Sequence, residues 1–273
     1  MNNPYLIEKK KEKRKVLLWQ FIVFSLIIIG WELLSRFNII DSFLFSKPSS
    51  IIKLLIDYIK SAEIFKHIFI SLLETILGLV IGTFVGIVIA VVLWWNKLLA
   101  KILDPVLIMF NALPKTALAP ILIIWAGTGI KGITVVAISI SLVLTIISAY
   151  SYFMMIEEDQ IKMLKSFGAN KWQVLFKLVL PANLDNILNI IKINIGMAWV
   201  GVIVGEFIVS RAGLGYLIVY GSQVFKMDLV MMGIIVLIII SLLMNFIVNL
   251  IYKKIKNKRG IFWKISLFYL LLV

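Results

Sequence analysis

The side chains able to do chemistry are few, and their surroundings narrow what that chemistry can be. Six ionisable residues, Glu32, Glu74, Asp104, Lys115, Lys192 and Glu206, stand within or beside long apolar runs, where a charge is costly and therefore informative. Glu74 and Glu206 are the most deeply embedded. Carboxyl groups in such a place suit a proton or solute path; equally they can cap, pair or brace helices. Asp104, Lys115 and Lys192 can reach an interface by snorkelling or pair near it. The chain has no cysteine and one histidine, His67, which excludes disulfide staples and thiolate metal sites and leaves no metal cluster to propose. No nucleophile–base pair and no His-Glu-x-x-His helix is present, so a membrane hydrolase is poorly supported. Gly127-Thr128-Gly129-Ile130-Lys131-Gly132 spells GxGxxG, but it joins two apolar runs, whereas a dinucleotide loop needs a strand before it and a helix after it. There is no GxxxxGK[ST] phosphate cradle either, so this chain does not itself hydrolyse a nucleotide.

The elements that must position these residues are membrane helices. Of the 273 residues, 62% are hydrophobic and 15% charged, too apolar for a soluble core, and the apolar residues come in runs near the ~20 needed to cross hydrocarbon about 30 Å thick. Six spans are predicted: 16–34, 68–95, 102–125, 133–156, 187–209 and 229–251. The first is too long for a signal h-region and ends in Ser35-Arg36 rather than a cleavage site. The formal charge is +14, and its placement argues against nucleic acid: Lys9, Lys10, Lys11, Lys13, Arg14 and Lys15 precede the first span, and Lys253, Lys254, Lys256, Lys258 and Arg259 follow the last. Such clusters mark the cytoplasmic side and meet anionic membrane lipid, which gives an N-in, C-in topology. The chain divides into a basic tail (1–15), a first span with an outer segment (16–65), a five-helix core (66–252) and a basic C-terminal segment with a short apolar tail (253–273). Pro48 opens an amphipathic helix lying at the outer interface, and the tail 261–273 is too short to cross and is expected to be interfacial or poorly ordered.

Within the core, Gly78, Gly82 and Gly86 recur four apart and predict close helix packing. Pro105, Pro114 and Pro120 break the third span, and a broken helix in lipid needs protein or a water-filled cavity around it, so the span either lines a translocation path, the favoured reading, or is a kinked packing helix. The loop 157–180 carries Ile161, Leu164, Phe167, Trp172, Leu175 and Val179 at helical spacing, interrupted by Gly168, which predicts two short helices meeting at an angle. On the cytoplasmic side this is either a docking surface for another protein or a helix resting on the bilayer.

Gly168, nine residues, then Leu178-Val179-Leu180-Pro181 resembles the loop signature of permease subunits from binding-protein-dependent ABC importers of the type I fold, whose pattern is Glu-Ala-Ala, three residues, Gly, nine residues, Ile-x-Leu-Pro. Further matches are Ser71-Leu72, Asp104-Pro105, Leu113-Pro114, Trp125-Ala126-Gly127, and Glu206 ahead of Gly213-Leu214-Gly215, and they fit the sulfonate, taurine and nitrate branch best. The resemblance implies an all-α bundle of about six transmembrane helices in a bacterial inner membrane. Its partners would be ATPase subunits carrying ATP and Mg, an extracytoplasmic solute-binding protein and a second permease copy, a homodimer in the simplest case. This chain would bind no cofactor. Lys162, Met163, Leu164, Phe167, Gly168, Ala169, Trp172, Leu180 and Pro181 would couple it to the ATPase; Glu74, Asn111, Pro114 and Glu206 would line or gate the path. Lys162-Met163-Leu164 replaces Glu-Ala-Ala, which predicts a roomier or oppositely charged partner cleft. Glu74 and Asn111 replace family arginines, which points from an anionic sulfonate towards a neutral or cationic solute such as a pyrimidine or vitamin precursor. The rival class is a stand-alone carrier driven by a proton or ion gradient through Glu74 and Glu206.

Overall fold

The computed structural model describes the backbone of residues 4–270 and the side chains of residues 8, 9 and 11–254. Among the described residues all regular structure is helical. Two compact units are distinguished, residues 1–65 with 217–234, and residues 66–216 with 235–273.

In the first unit, α1 (Pro4–Arg36) exposes apolar side chains on nearly every turn, as a lipid-facing span does. Asp41 caps the single turn α2 (Ser42–Phe45) by accepting from Phe43 N at 2.8 Å. The amphipathic helix α3 (Pro48–Lys60) begins with Pro48, whose missing N–H lies where helical donors are unpaired anyway. Glu32 fastens that start: it accepts from Ser49 N at 3.0 Å and pairs with Arg36 Nε at 2.7 Å. Ser46 Oγ donates to Asp228 at 2.5 Å, tying the α2–α3 joint to the first turn of α13 (Met227–Leu270). The helix α13 runs unbroken to Leu270, so the backbone of the apolar tail continues the last span as far as that residue; residues 271–273 and the side chains of the tail lie outside the described residues.

The second unit is built on α7 (Ile130–Met154), between α4 (Glu63–Trp95) and α11 (Leu184–Val209). Small residues let these backbones approach. A Cβ added to Gly78 would stand 2.5 Å from the Ala137 Cβ, one on Gly201 would stand 2.5 Å from the Ala137 Cα, and Gly82 and Gly86 face Ser141 and Thr145. Lipid tails are as apolar as leucine, so close van der Waals contact and interhelical hydrogen bonds hold such helices together. Asn194 on α11 supplies the second kind: its side-chain amide donates to Thr83 on α4 at 2.8 Å and to Thr145 on α7 at 2.7 Å.

The third predicted span is not one rod. Asn96 caps α5 (Lys97–Ala112) by accepting from Leu98 N and Leu99 N, Pro105 sits inside α5 without ending it, and a 3-10 turn at Lys115–Leu118 leads to α6 (Ala119–Ala126). The two parts meet at 88°. The break falls at Pro114, which has no N–H to continue the ladder and whose ring excludes the carbonyl four residues back. Among the described residues five further helices are long and apolar enough to cross a membrane, and counting the bent pair as one span gives six.

Candidate functional site

Glu206, wholly buried near the end of α11, receives the chain that follows it. Ser210 is no longer helical, Gly213 takes φ +127°, and α12 (Leu214–Gln223) starts one residue on. The first N–H groups of any helix lack partners within it. Here the Glu206 Oε2 accepts from Gly215 N at 2.5 Å and Tyr216 N at 3.3 Å, and Ser71 Oγ accepts from Leu214 N at 2.8 Å while donating to Glu206 Oε1 at 2.5 Å. A carboxylate at a helix N-terminus also answers its positive end. His67 completes the collar: its Nδ1 accepts from Gly213 N at 2.9 Å and its ring stacks on Tyr216. The glycines have a local reason. A Cβ on Gly213 would collide with the Glu206 carboxyl group, and one on Gly215 would stand 2.8 Å from its Oε2. Glu206 therefore braces α12 through bonds that occupy both its oxygens.

Glu74, 1% exposed on α4, lies within side-chain hydrogen-bond reach of Glu206, and its Oε2 has no partner. It lines a cavity of about 610 Å³ with Ile70, Thr128, Gly129 and Ser210–Arg211. Asn111 and Pro114 are elsewhere in character: both are exposed at the α5–α6 bend, where Lys115 Nζ reaches the Asn111 carbonyl at 3.3 Å. Among the described residues no hydrogen bond or ion pair joins them to either carboxyl group. Asp104 has no ion pair among the described residues, and Lys192 lays its ammonium over the Tyr252 ring at 4.0 Å.

The loop 157–180 folds as α8 (Glu158–Ser166), a turn at Gly168 with φ +80°, α9 (Lys171–Val174), a π-helical stretch Leu175–Val179, and the short α10 (Leu180–Ala182). Asn170 and Gln173 form a reciprocal capping box, Gln173 N to Asn170 and Asn170 N to Gln173, both 2.8 Å. The apolar residues do not form one face. Val174, Leu175 and Val179 are buried, and together with Ile161, Leu164, Ala169 and Leu180 they pack among Ala90 of α4, Phe153 of α7 and Ile190 of α11. Met163, Phe167, Trp172 and Phe176 point outward, Phe167 with 82% of its surface exposed. Lys162 is outward too, paired with Asp159 at 3.1 Å. Lys171 Nζ donates to the Trp95 carbonyl at 2.5 Å, closing one of the unpaired carbonyls at the end of α4. The arrangement is a platform: one half is locked into three spans and the other is exposed on the surface of the bundle.

Two features carry no mark that single-sequence reasoning would raise. Asn194 is one polar residue in an apolar run, and its hydrogen bonds to Thr83 and Thr145 link positions far apart in sequence. His67 has meaning only once Gly213 is beside it.

Residues 78–259 match the family described as the inner membrane component of binding-protein-dependent transport systems. A Bacillus subtilis protein named as an aliphatic sulfonates transport permease is 26% identical over 255 residues, 92% of this chain and 92% of that protein. The formylaminopyrimidine transport permease of Halalkalibacterium halodurans is 26% identical over 195 residues, covering 71% of this chain and 77% of the relative. Among solved structures, a chain of a bacterial alginate ABC transporter, captured with a periplasmic protein holding an alginate pentasaccharide, superposes with a TM-score of 0.62 at 15% identity over 90% of this chain and 97% of that one.

Proposed function

This chain belongs to the inner-membrane components of binding-protein-dependent transport systems and is the permease subunit of such an ABC importer; from that premise we propose that it works as one of two identical copies in a bacterial inner membrane, moved by separate ATPase subunits and supplied by an extracytoplasmic binding protein. The carrying observation is the two-sided loop. Its inner half packs among α4, α7 and α11, and its outer half offers Phe167, Met163, Trp172 and Lys162. A push on the outer half is delivered to three spans at once, because a close-packed cluster shifts as a body rather than yielding. Coupling needs contacts that differ between two global states, and Gly168, at φ +80°, sets the angle between the docking helix α8 and the part embedded in the bundle.

The cargo is proposed to be a small solute of the kind such relatives carry, a pyrimidine or vitamin precursor in preference to a sulfonate. The motive is Glu74, a carboxyl oxygen without a partner beside the cavity of about 610 Å³, which favours a hydrogen-bond donor over an anion. A gradient-driven carrier would need Glu206 free, and its oxygens are occupied by Ser71, Gly215 and Tyr216.

The test is reconstitution of the full chain into vesicles with and without its ATPase subunits, supplied with the cognate binding protein. ATP-dependent uptake only in the complete assembly is the expected result. Uptake by the permease alone under a proton or ion gradient would refute the reading.

A further inference from the structure

A second cavity, about 340 Å³, opens where α4 ends and α8 passes beneath it. Trp94, Lys97, Glu158, Lys162, Lys165 and Lys171 line it, so four ammonium groups share the space with one carboxylate. Two of the four are engaged: Lys162 with Asp159 at 3.1 Å, and Lys171 with the Trp95 carbonyl at 2.5 Å and its ring at 4.8 Å. Lys97 and Lys165 have no ion-pair or hydrogen-bond partner among the described residues. Cations gathered in a concave, partly apolar site repel one another and focus a positive potential that an anion relieves.

The height of the cavity says which anion. The span Glu63–Trp95 ends at its rim, so the ammonium groups stand where hydrocarbon gives way to headgroups. Next to it in the chain, Val92, Leu98 and Ile102 expose apolar side chains at 47%, 69% and 59%, a bed that acyl chains can cover and a soluble anion cannot use. Basic pockets between membrane helices on the cytoplasmic side suit acidic lipid headgroups. We propose that this cavity is a binding site for the phosphodiester headgroup of an anionic phospholipid, held chiefly by Lys97 and Lys165, with the lipid tails lying along α4 and α5. Lys162 is the one outward-facing docking residue that also lines the cavity; Lys97 and Lys165, which hold the headgroup, are not among those residues, and the proposal stands whether or not the ATPase reading holds.

The probe is short-chain phosphatidylglycerol, titrated onto the full-length chain in non-ionic detergent and followed by native mass spectrometry, with short-chain phosphatidylcholine and inorganic phosphate as parallel arms. Phosphatidylglycerol is expected to be retained and phosphatidylcholine not. The double variant Lys97→Ala/Lys165→Ala should bind it roughly twenty-five-fold more weakly, at about fivefold per lysine near a lipid surface. Lys97→Arg should keep wild-type binding, and Lys131→Ala, exposed at the start of α7, should leave this affinity unchanged. Should the alanine pair fail to give a monodisperse protein, Lys97→Gln alone, which removes the charge and keeps a polar side chain, should still weaken binding about fivefold. The proposal is overturned if the double variant binds phosphatidylglycerol like wild type. It is also overturned if inorganic phosphate displaces the lipid at equal concentration, which would make the site one for a free anion. A third refutation is loss of ATPase association in the double variant with lipid affinity unchanged, which would make the lysines a protein contact.

Discussion

Replacing Glu206 separates a brace from a solute ligand. In Glu206→Ala the acceptors at 2.5 Å for Ser71 Oγ and Gly215 N disappear, along with the longer contact to Tyr216 N. Hydrogen bonds to a charged group contribute about 1.5–3 kcal/mol each, and the donors left behind are buried, so a loss of about 3–5 kcal/mol is expected, the long third bond adding little. Glu206→Gln keeps one oxygen for Gly215 and Tyr216, while its amide donates to the Ser71 hydroxyl, whose oxygen still has room to accept; the loss should be about 1 kcal/mol. Thermal unfolding of the purified chain in detergent measures both. Amide hydrogen exchange over 214–216 localises the effect, since the first turn of α12 should exchange faster in the alanine variant than in the glutamine variant. If Glu206→Ala unfolds like wild type and the α12 amides keep their protection, the bracing argument is wrong and Glu206 must be assigned to the path.

Three further outcomes are expected. Gly201→Leu should cost about 1–3 kcal/mol by driving side-chain atoms into the Ala137 backbone, whereas Gly196→Leu on the same helix, where an added Cβ meets nothing within 4 Å, should be close to neutral; similar unfolding of the two variants would contradict the packing account. A double-mutant cycle between Asn194→Leu and Thr145→Val should return a coupling of about 0.6 kcal/mol, the size typical of interhelical hydrogen bonds in membranes, and a zero coupling removes the clasp. Gly168→Leu meets no neighbouring atom but must hold a left-handed φ at a cost of about 1–2 kcal/mol; the protein should insert at wild-type levels, read by immunoblot of membranes, while ATP hydrolysis by the assembly no longer drives uptake, and uptake at the wild-type rate in this variant would refute the role given to the turn.

Span lengths were legible because lipid imposes them: a run near twenty apolar residues has few alternatives, and the helices Glu63–Trp95, Leu184–Val209 and Ile130–Met154 follow their runs closely. The prolines announced a break in the third span, but its 88° angle depends on α7, against which α5 and α6 both pack. The break of the loop into short helices was readable from Gly168. Its division into buried and exposed halves was not, because helical spacing says which residues share a stripe and not which distant spans will cover it. Glu206 was the sharpest limit. Sequence placed a carboxyl group in an apolar run and left brace and path both open; the decision rests on Ser71 and on backbone donors beyond a non-helical turn.

The two-sided build of the cytoplasmic loop bears on how such a subunit could acquire a different motor. Transplanting the whole stretch from a relative would bring foreign side chains to the seats now filled by Val174, Leu175 and Val179 beside Phe153 and Ile190, and the chimera would fail by misfolding before its choice of companion could be read. Exchanging Lys162, Met163 and Phe167 alone, all exposed, and keeping Trp172, whose ring packs on Trp95, would rewrite the address and leave the foundation undisturbed.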